Sequence, residues 1–175
     1  MTQSLRFIQF APDSINVICC VISPSMQDGR IFLAGSNPHQ FYVFDSEFPT
    51  ELRLESYSPP YMSATQDVLR PSITIYPSQI TYSSPFTVTI STPTVLTTIV
   101  ELNLVNAPFA THSFQQGQRL INLNVAGPVQ VAQGNVYQIT ATAPLSPNIA
   151  PPAYYMMFAV NQGIPSEAVW MQLSS

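Results

Sequence analysis

Residues 85–104 read PFTVTISTPTVLTTIVELNL, and their period decides the fold. In FTVTI, Phe86, Val88 and Ile90 fall on one side of an extended chain. Beyond a proline-bearing turn, TTIVELNLV places Ile99 with Glu101 on one face and Val100, Leu102 and Leu104 on the other. A period of two belongs to a half-buried strand, because successive side chains of a strand point to opposite sides. The period recurs on either side of this stretch. SITIY puts Ile73 and Ile75 together, and RLINLNVAG, VYQITATAP, YYMMFAV and AVWMQL follow, separated by turns that carry proline or glycine. About seven short strands with regularly spaced turn signals predict an all-β, antiparallel two-sheet sandwich. No segment carries a helical stripe, and 17 prolines against 6 glycines disfavour long helices, since proline removes an amide donor and clashes in a helix interior.

Upstream of the sandwich, Asp28-Gly29 is a turn dipeptide leading into RIFLAGSN, the kind of pair that favours entry into a hairpin. TELRLESY then alternates, with Leu52 and Leu54 on one face and Arg53 and Glu55 on the other. SPPYM and LRP break the chain and set a boundary between residues 58 and 70. The expected organisation is therefore an unassigned segment 1–27, a strand-bearing segment 28–57, a linker 58–67 and a sandwich 68–175.

Composition narrows the partners. Charged residues make up 8% of the 175 residues, and the net charge is −4, against roughly 25% charged in an average domain. There is no lysine, and the basic residues are Arg6, Arg30, Arg53, Arg70 and Arg119. Without a basic cluster, neither nucleic acid nor an anionic membrane surface is an expected partner. The apolar run INVICCVI is too short to span a bilayer. It follows an aspartate and lacks a basic leader, so no clear signal peptide is read there. The two cysteines, Cys19 and Cys20, are adjacent and have no distant partner, which leaves no structural disulfide within these residues.

Motifs of common chemistries are missing: there is no G-x-S-x-G, Walker loop, G-x-G-x-x-G or H-E-x-x-H. Asp13, Asp28, Asp45, Glu47 and Asp67 read as solvated turn residues. His112 differs in kind. It stands on a connection leaving one strand, in ATHSFQQGQR (110–119), before Arg119 leads into the next. A loop histidine on a rigid sandwich is well placed to reach a ligand. A transition-metal site needs three or four ligands, and His39 is the only other imidazole.

GSNPHQFY (35–42), FPTELRLESYSPPYM (48–62), RPSI (70–73), THSFQQGQR (111–119), APPAYYMMFAVNQGIPS (150–166) and AVWMQL (168–173) occur in that order. From about Asp28 to the end, the chain resembles the carboxyl-terminal part of the galactose oxidase/glyoxal oxidase family, most closely its plant aldehyde oxidase-like branch. The resemblance implies an immunoglobulin-like early-set sandwich over 68–175 and the end of the last Kelch-type propeller blade over 28–57. It also implies a copper site of two tyrosines and two histidines, with one tyrosine cross-linked to a cysteine. In that family one histidine comes from a sandwich loop, and His112 matches it, with Thr111, Ser113 and Arg119 as supporting residues. Arg119 is expected to hold the His112 loop through bonds to backbone carbonyls.

Two departures shape the functional expectation. The family's Tyr-His-Ser run upstream of the D-G-R turn is replaced by a stretch with Cys19 and Cys20 at about those positions. The cross-linked tyrosine and its cysteine have no counterpart in these 175 residues. One family ligand of four favours a propeller-blade remnant with a sandwich, non-catalytic as it stands and holding copper only weakly. The alternatives are a copper-radical aldehyde oxidase releasing H2O2, if the rest of the propeller is supplied, and a carbohydrate- or partner-binding module. A small aldehyde or alcohol substrate is expected only of the complete enzyme. The open strand edges of 28–57 make self-association an expectation, and the resemblance implies a secreted family.

Overall fold

The computed structural model describes residues 27–34, 37–107, 109–111, 114–115 and 118–175. Strand β1 (Ile31–Ala34) pairs antiparallel with β2 (Leu54–Tyr57) in a two-stranded ribbon. The ribbon is entered through the expected turn, with Gly29 at φ +92°, a conformation that strains any residue with a Cβ. The Asp28 carboxylate accepts the Arg30 amide at 3.0 Å and its Nε at 2.6 Å. Partial burial pushes this carboxyl up, but the Arg30 hydrogen bonds and charge together outweigh it and hold its pKa below the ordinary value. β2 begins later than the alternation of TELRLESY suggests. Glu51 accepts both the Arg53 amide, at 2.8 Å, and its guanidinium, at 2.6 Å, so residues 51–53 close on themselves instead of joining the ladder.

Two 3-10 turns follow: Pro60–Met62 lies within the stretch 58–67 read as a linker, and Ala64–Leu69 runs two residues past its end. The strands of the sandwich then follow. They are β3 (Ser72–Ile75), β4 (Gln79–Thr81), β5 (Pro85–Ser91), β6 (Glu101–Asn106) and the short β7 (Ala110–Thr111) and β8 (Phe114–Gln115). After them come β9 (Leu120–Asn122), β10 (Asn124–Val125), β11 (Val129–Ala132), β12 (Val136–Thr142), β13 (Ala153–Asn161), β14 (Ile164–Pro165) and β15 (Val169–Ser174).

One sheet runs β10-β12-β5-β3, with β11 also on β12; the other runs β4-β15-β13-β6-β9, with β14 on β13. Among the described strands, all pairs are antiparallel except β4 with β15. The all-β sandwich read from the sequence is the fold. Val88 faces Ile139 across β5 and β12, and Leu104 faces Met157 across β6 and β13. These four, with Ile90, Val100, Leu102 and Leu173, form the core between the sheets. The face assignments of the opening stretch hold: Val100, Leu102 and Leu104 are fully buried, and Ile99 is exposed.

The second sheet is also covered on its outer face, which alternation does not anticipate. Val105, Met156, Phe158 and Ala168 form a separate buried cluster there. The strand-bearing segment is fastened on this side. The Gln27 carbonyl accepts the Ala168 amide at 2.8 Å, and Tyr61 donates its hydroxyl to the Gly29 carbonyl at 2.7 Å. Arg70 reaches the Pro165 carbonyl at 2.7 Å and the Tyr61 carbonyl at 3.2 Å. A cleft of about 200 Å³ remains between Gly29, Tyr61, Val105, Phe158 and Pro165.

Candidate functional site

The connection from β6 to β9 is the excursion that carries His112. Its two ends meet where Asn106 donates its amide to the Arg119 carbonyl at 3.1 Å. Within it β7 and β8 pair, with Thr111 opposite Phe114. His112 and Ser113, the two positions between them, lie outside the described residues, as do Cys19 and Cys20. Thr111 is placed as backbone at the end of β7.

Arg119 does bond to backbone carbonyls, but to those of a different segment. One guanidinium nitrogen, Nη1, donates to Asn148 O at 2.9 Å and to Ile149 O at 2.8 Å. These carbonyls precede the Ala150-Pro151-Pro152 run that enters β13. The next two are also taken by side chains: Tyr82 donates its hydroxyl to Ala150 O, and Tyr155 to Pro151 O, each at 2.7 Å. Four successive carbonyls are thus held by three side chains from β13 and two other parts of the chain. This physically links the two motifs that carry the resemblance, since the arginine of one grips the approach to the other. Ala153 lies within a strand and is not among the residues with positive φ, so its backbone is unstrained.

Burial raises the Tyr82 hydroxyl above its ordinary pKa. Burial also raises Tyr155, with Tyr82 adding to the shift and the Arg119 charge opposing it. A raised pKa in the folded state means a stabilising contribution that is fully present below the unfolded value of about 10. That contribution falls as the pH climbs from there through the folded pKa. Alkaline titration followed by circular dichroism is expected to show a loss of stability above about pH 10. A double replacement, Tyr82→Phe with Tyr155→Phe, reduces that dependence while lowering stability at neutral pH; Tyr61, whose hydroxyl burial also raises, retains a share of it.

Sequence reading did not single out Tyr82 or Ser166. Ser166 is fully buried; its Oγ accepts the Ala159 amide at 3.0 Å and donates to the Glu167 carbonyl at 2.6 Å. The serine of GIPS therefore closes the turn after β14. His39 is engaged locally, with Nε2 2.7 Å from the Phe48 carbonyl and 3.1 Å from Ser46 Oγ. Among the described residues, no group of three or more His, Cys, Asp or Glu is placed to hold a metal ion. No helix among them is long and apolar enough to cross a membrane.

Residues 70–173 match the family described as galactose oxidase-like, early set domain, and residues 1–61 match glyoxal oxidase N-terminus. The similarity thus reaches into the first 27 residues, which the sequence reading left unassigned. The chain is 47% identical over 169 residues to aldehyde oxidase GLOX of Vitis pseudoreticulata, covering 97% of this chain and 32% of that protein. It is 40% identical over 174 residues to putative aldehyde oxidase Art an 7 of Artemisia annua, covering 96% of this chain and 28% of that one. Against aldehyde oxidase GLOX1 of Arabidopsis thaliana it is 38% identical over 172 residues, again 96% of this chain and 28% of the relative. The chain therefore spans about a third or less of the length of these relatives.

Proposed function

As the chain belongs to the galactose oxidase-like, early set domain family, we propose that its sandwich serves a copper-radical aldehyde oxidase and that His112 supplies one of the copper ligands. The observation that carries this reading is the anchored base of the His112 excursion. Asn106 and Arg119 close its two ends, and Arg119 ties that closure to the 148–149 carbonyls. A ligand presented from a rigid sheet end keeps its position better than one on an untethered loop.

Copper in such an enzyme would supply the two-electron chemistry in which an aldehyde, water and O2 give a carboxylic acid and H2O2. Arg119, Tyr82 and Tyr155 do not perform that chemistry; they hold the frame from which the histidine is offered. One family copper ligand of four is read in these 175 residues, so they are expected to be non-catalytic alone and to hold copper weakly. A second reading, catalysis once the rest of the propeller is supplied, draws support from the names of the relatives. Peroxide release from methylglyoxal by the purified chain, with copper added, tests whether these residues are non-catalytic alone. No peroxide is expected; sustained release that needs His112 would overturn the non-catalytic reading.

A further inference from the structure

We propose that Asn161 is a positioning residue that clamps residues 62–69 onto the end of the β13–β14 hairpin. Thr94 and Arg70 complete the clamp, and together they keep the β1–β2 segment and the sandwich in one fixed orientation. Residues 1–61 and 70–173 match two different family descriptions, so the residues between them are the joint of two units.

Asn161 is 2% exposed at the end of β13. It pairs with Ile164 across a turn in which Gln162 and Gly163 both have positive φ, at +51° and +82°. Two such residues form the tight hairpin turn that matches strand twist, so Asn161 is presented from a fixed backbone. Its Nδ2 donates to the Leu69 carbonyl at 2.8 Å. The preceding carbonyl, of Val68, accepts the Thr94 hydroxyl at 3.1 Å. Arg70 crosses the joint in the other direction, donating from Nη1 to Pro165 O at 2.7 Å and from Nη2 to Tyr61 O at 3.2 Å. Both ends of the joint are thus tied by side chains, and Asn161 and Arg70 tie it to the same hairpin.

The other half of the amide shows that Asn161 does not serve stability. Its Oδ1 is buried without a hydrogen-bond partner, and no other buried side-chain nitrogen or oxygen among the described residues lacks one. Burying an amide oxygen with no donor is unfavourable, and an apolar side chain of similar shape avoids the loss. Packing alone would therefore favour an apolar residue here; what asparagine adds is the donor to Leu69 O. Little else holds the joint, since no residue of either 3-10 turn is buried. A segment with few buried contacts opens locally well before the core does.

Peptide-resolved hydrogen exchange of the whole chain, beside thermal melting, tests the clamp. The probes are the joint's bonded amides, Gln66 to Ser63 O and Arg70 to Asp67 O. Asn161→Leu is expected to speed their exchange by about threefold to tenfold, the loss of one hydrogen bond. Exchange in β5 and β12 stays unchanged, and the melting temperature holds or rises. Thr94→Val, at an exposed position, is expected to speed the same amides without lowering the melting temperature. The proposal is overturned if Asn161→Leu leaves exchange at the joint unchanged or, should that variant not fold, if Thr94→Val does. It is overturned equally if Asn161→Leu lowers the melting temperature and speeds exchange throughout the sandwich, which would make Asn161 an ordinary core residue. Neither readout involves copper, so the outcome is independent of the reading of His112.

Discussion

Replacing Tyr155 by alanine is expected to destabilise the sandwich by about 3–5 kcal/mol, the range for deleting a buried aromatic side chain. Tyr155 is 1% exposed in the middle of the core and is central to the carbonyl clamp through its bond to Pro151 O. The two roles separate by mutation. Tyr155→Phe keeps the ring and removes only the donor, so it is expected to cost about 1 kcal/mol. Against a total stability of roughly 5–15 kcal/mol for such a domain, the alanine variant is expected to lose a large share of its margin and to unfold at a clearly lower urea concentration than the phenylalanine variant. Urea unfolding followed by circular dichroism measures both. Equal losses for the two variants would mean that the hydroxyl, and not the packed ring, carries the residue's contribution.

Leu104→Ala is the second large effect, at about 3–5 kcal/mol, from lost burial and the cavity left between Met157 and Ile121. Ile99→Ala, five residues earlier in the same apolar run, is expected to change stability by only about 0.5 kcal/mol, because Ile99 is exposed. The pair tests the face assignment made from the opening stretch. Similar losses at both positions would mean that the assignment of inner and outer faces is wrong.

The inner face of the sandwich is legible in the sequence because alternation is a local property: Phe86, Val88 and Ile90 announce their side within five residues. The outer cluster of Val105, Met156 and Phe158 is not. Strands buried on both faces, such as β6 and β13, read as continuous apolar runs, and what covers them comes from distant parts of the chain, at Gly29 and Tyr61. The candidate site divides in the same way. His112 stands out as a rare residue in a motif, and Arg119 as the one basic residue beside it. The carbonyls that Arg119 grips, at Asn148 and Ile149, could not be read from sequence, because a backbone carbonyl has no residue signature and these lie about thirty positions away. Tyr82 and Ser166 escape notice for a related reason: their importance lies in hydroxyl bonds made after folding.

The central claim, that His112 is the copper ligand this chain presents, is tested most directly by calorimetric titration of Cu(II) into the purified chain beside His112→Ala and His39→Ala. The expected result is weak binding that His112→Ala diminishes and His39→Ala leaves intact, because His39 is committed to Phe48 and Ser46. An isotherm unchanged by His112→Ala would contradict the assignment.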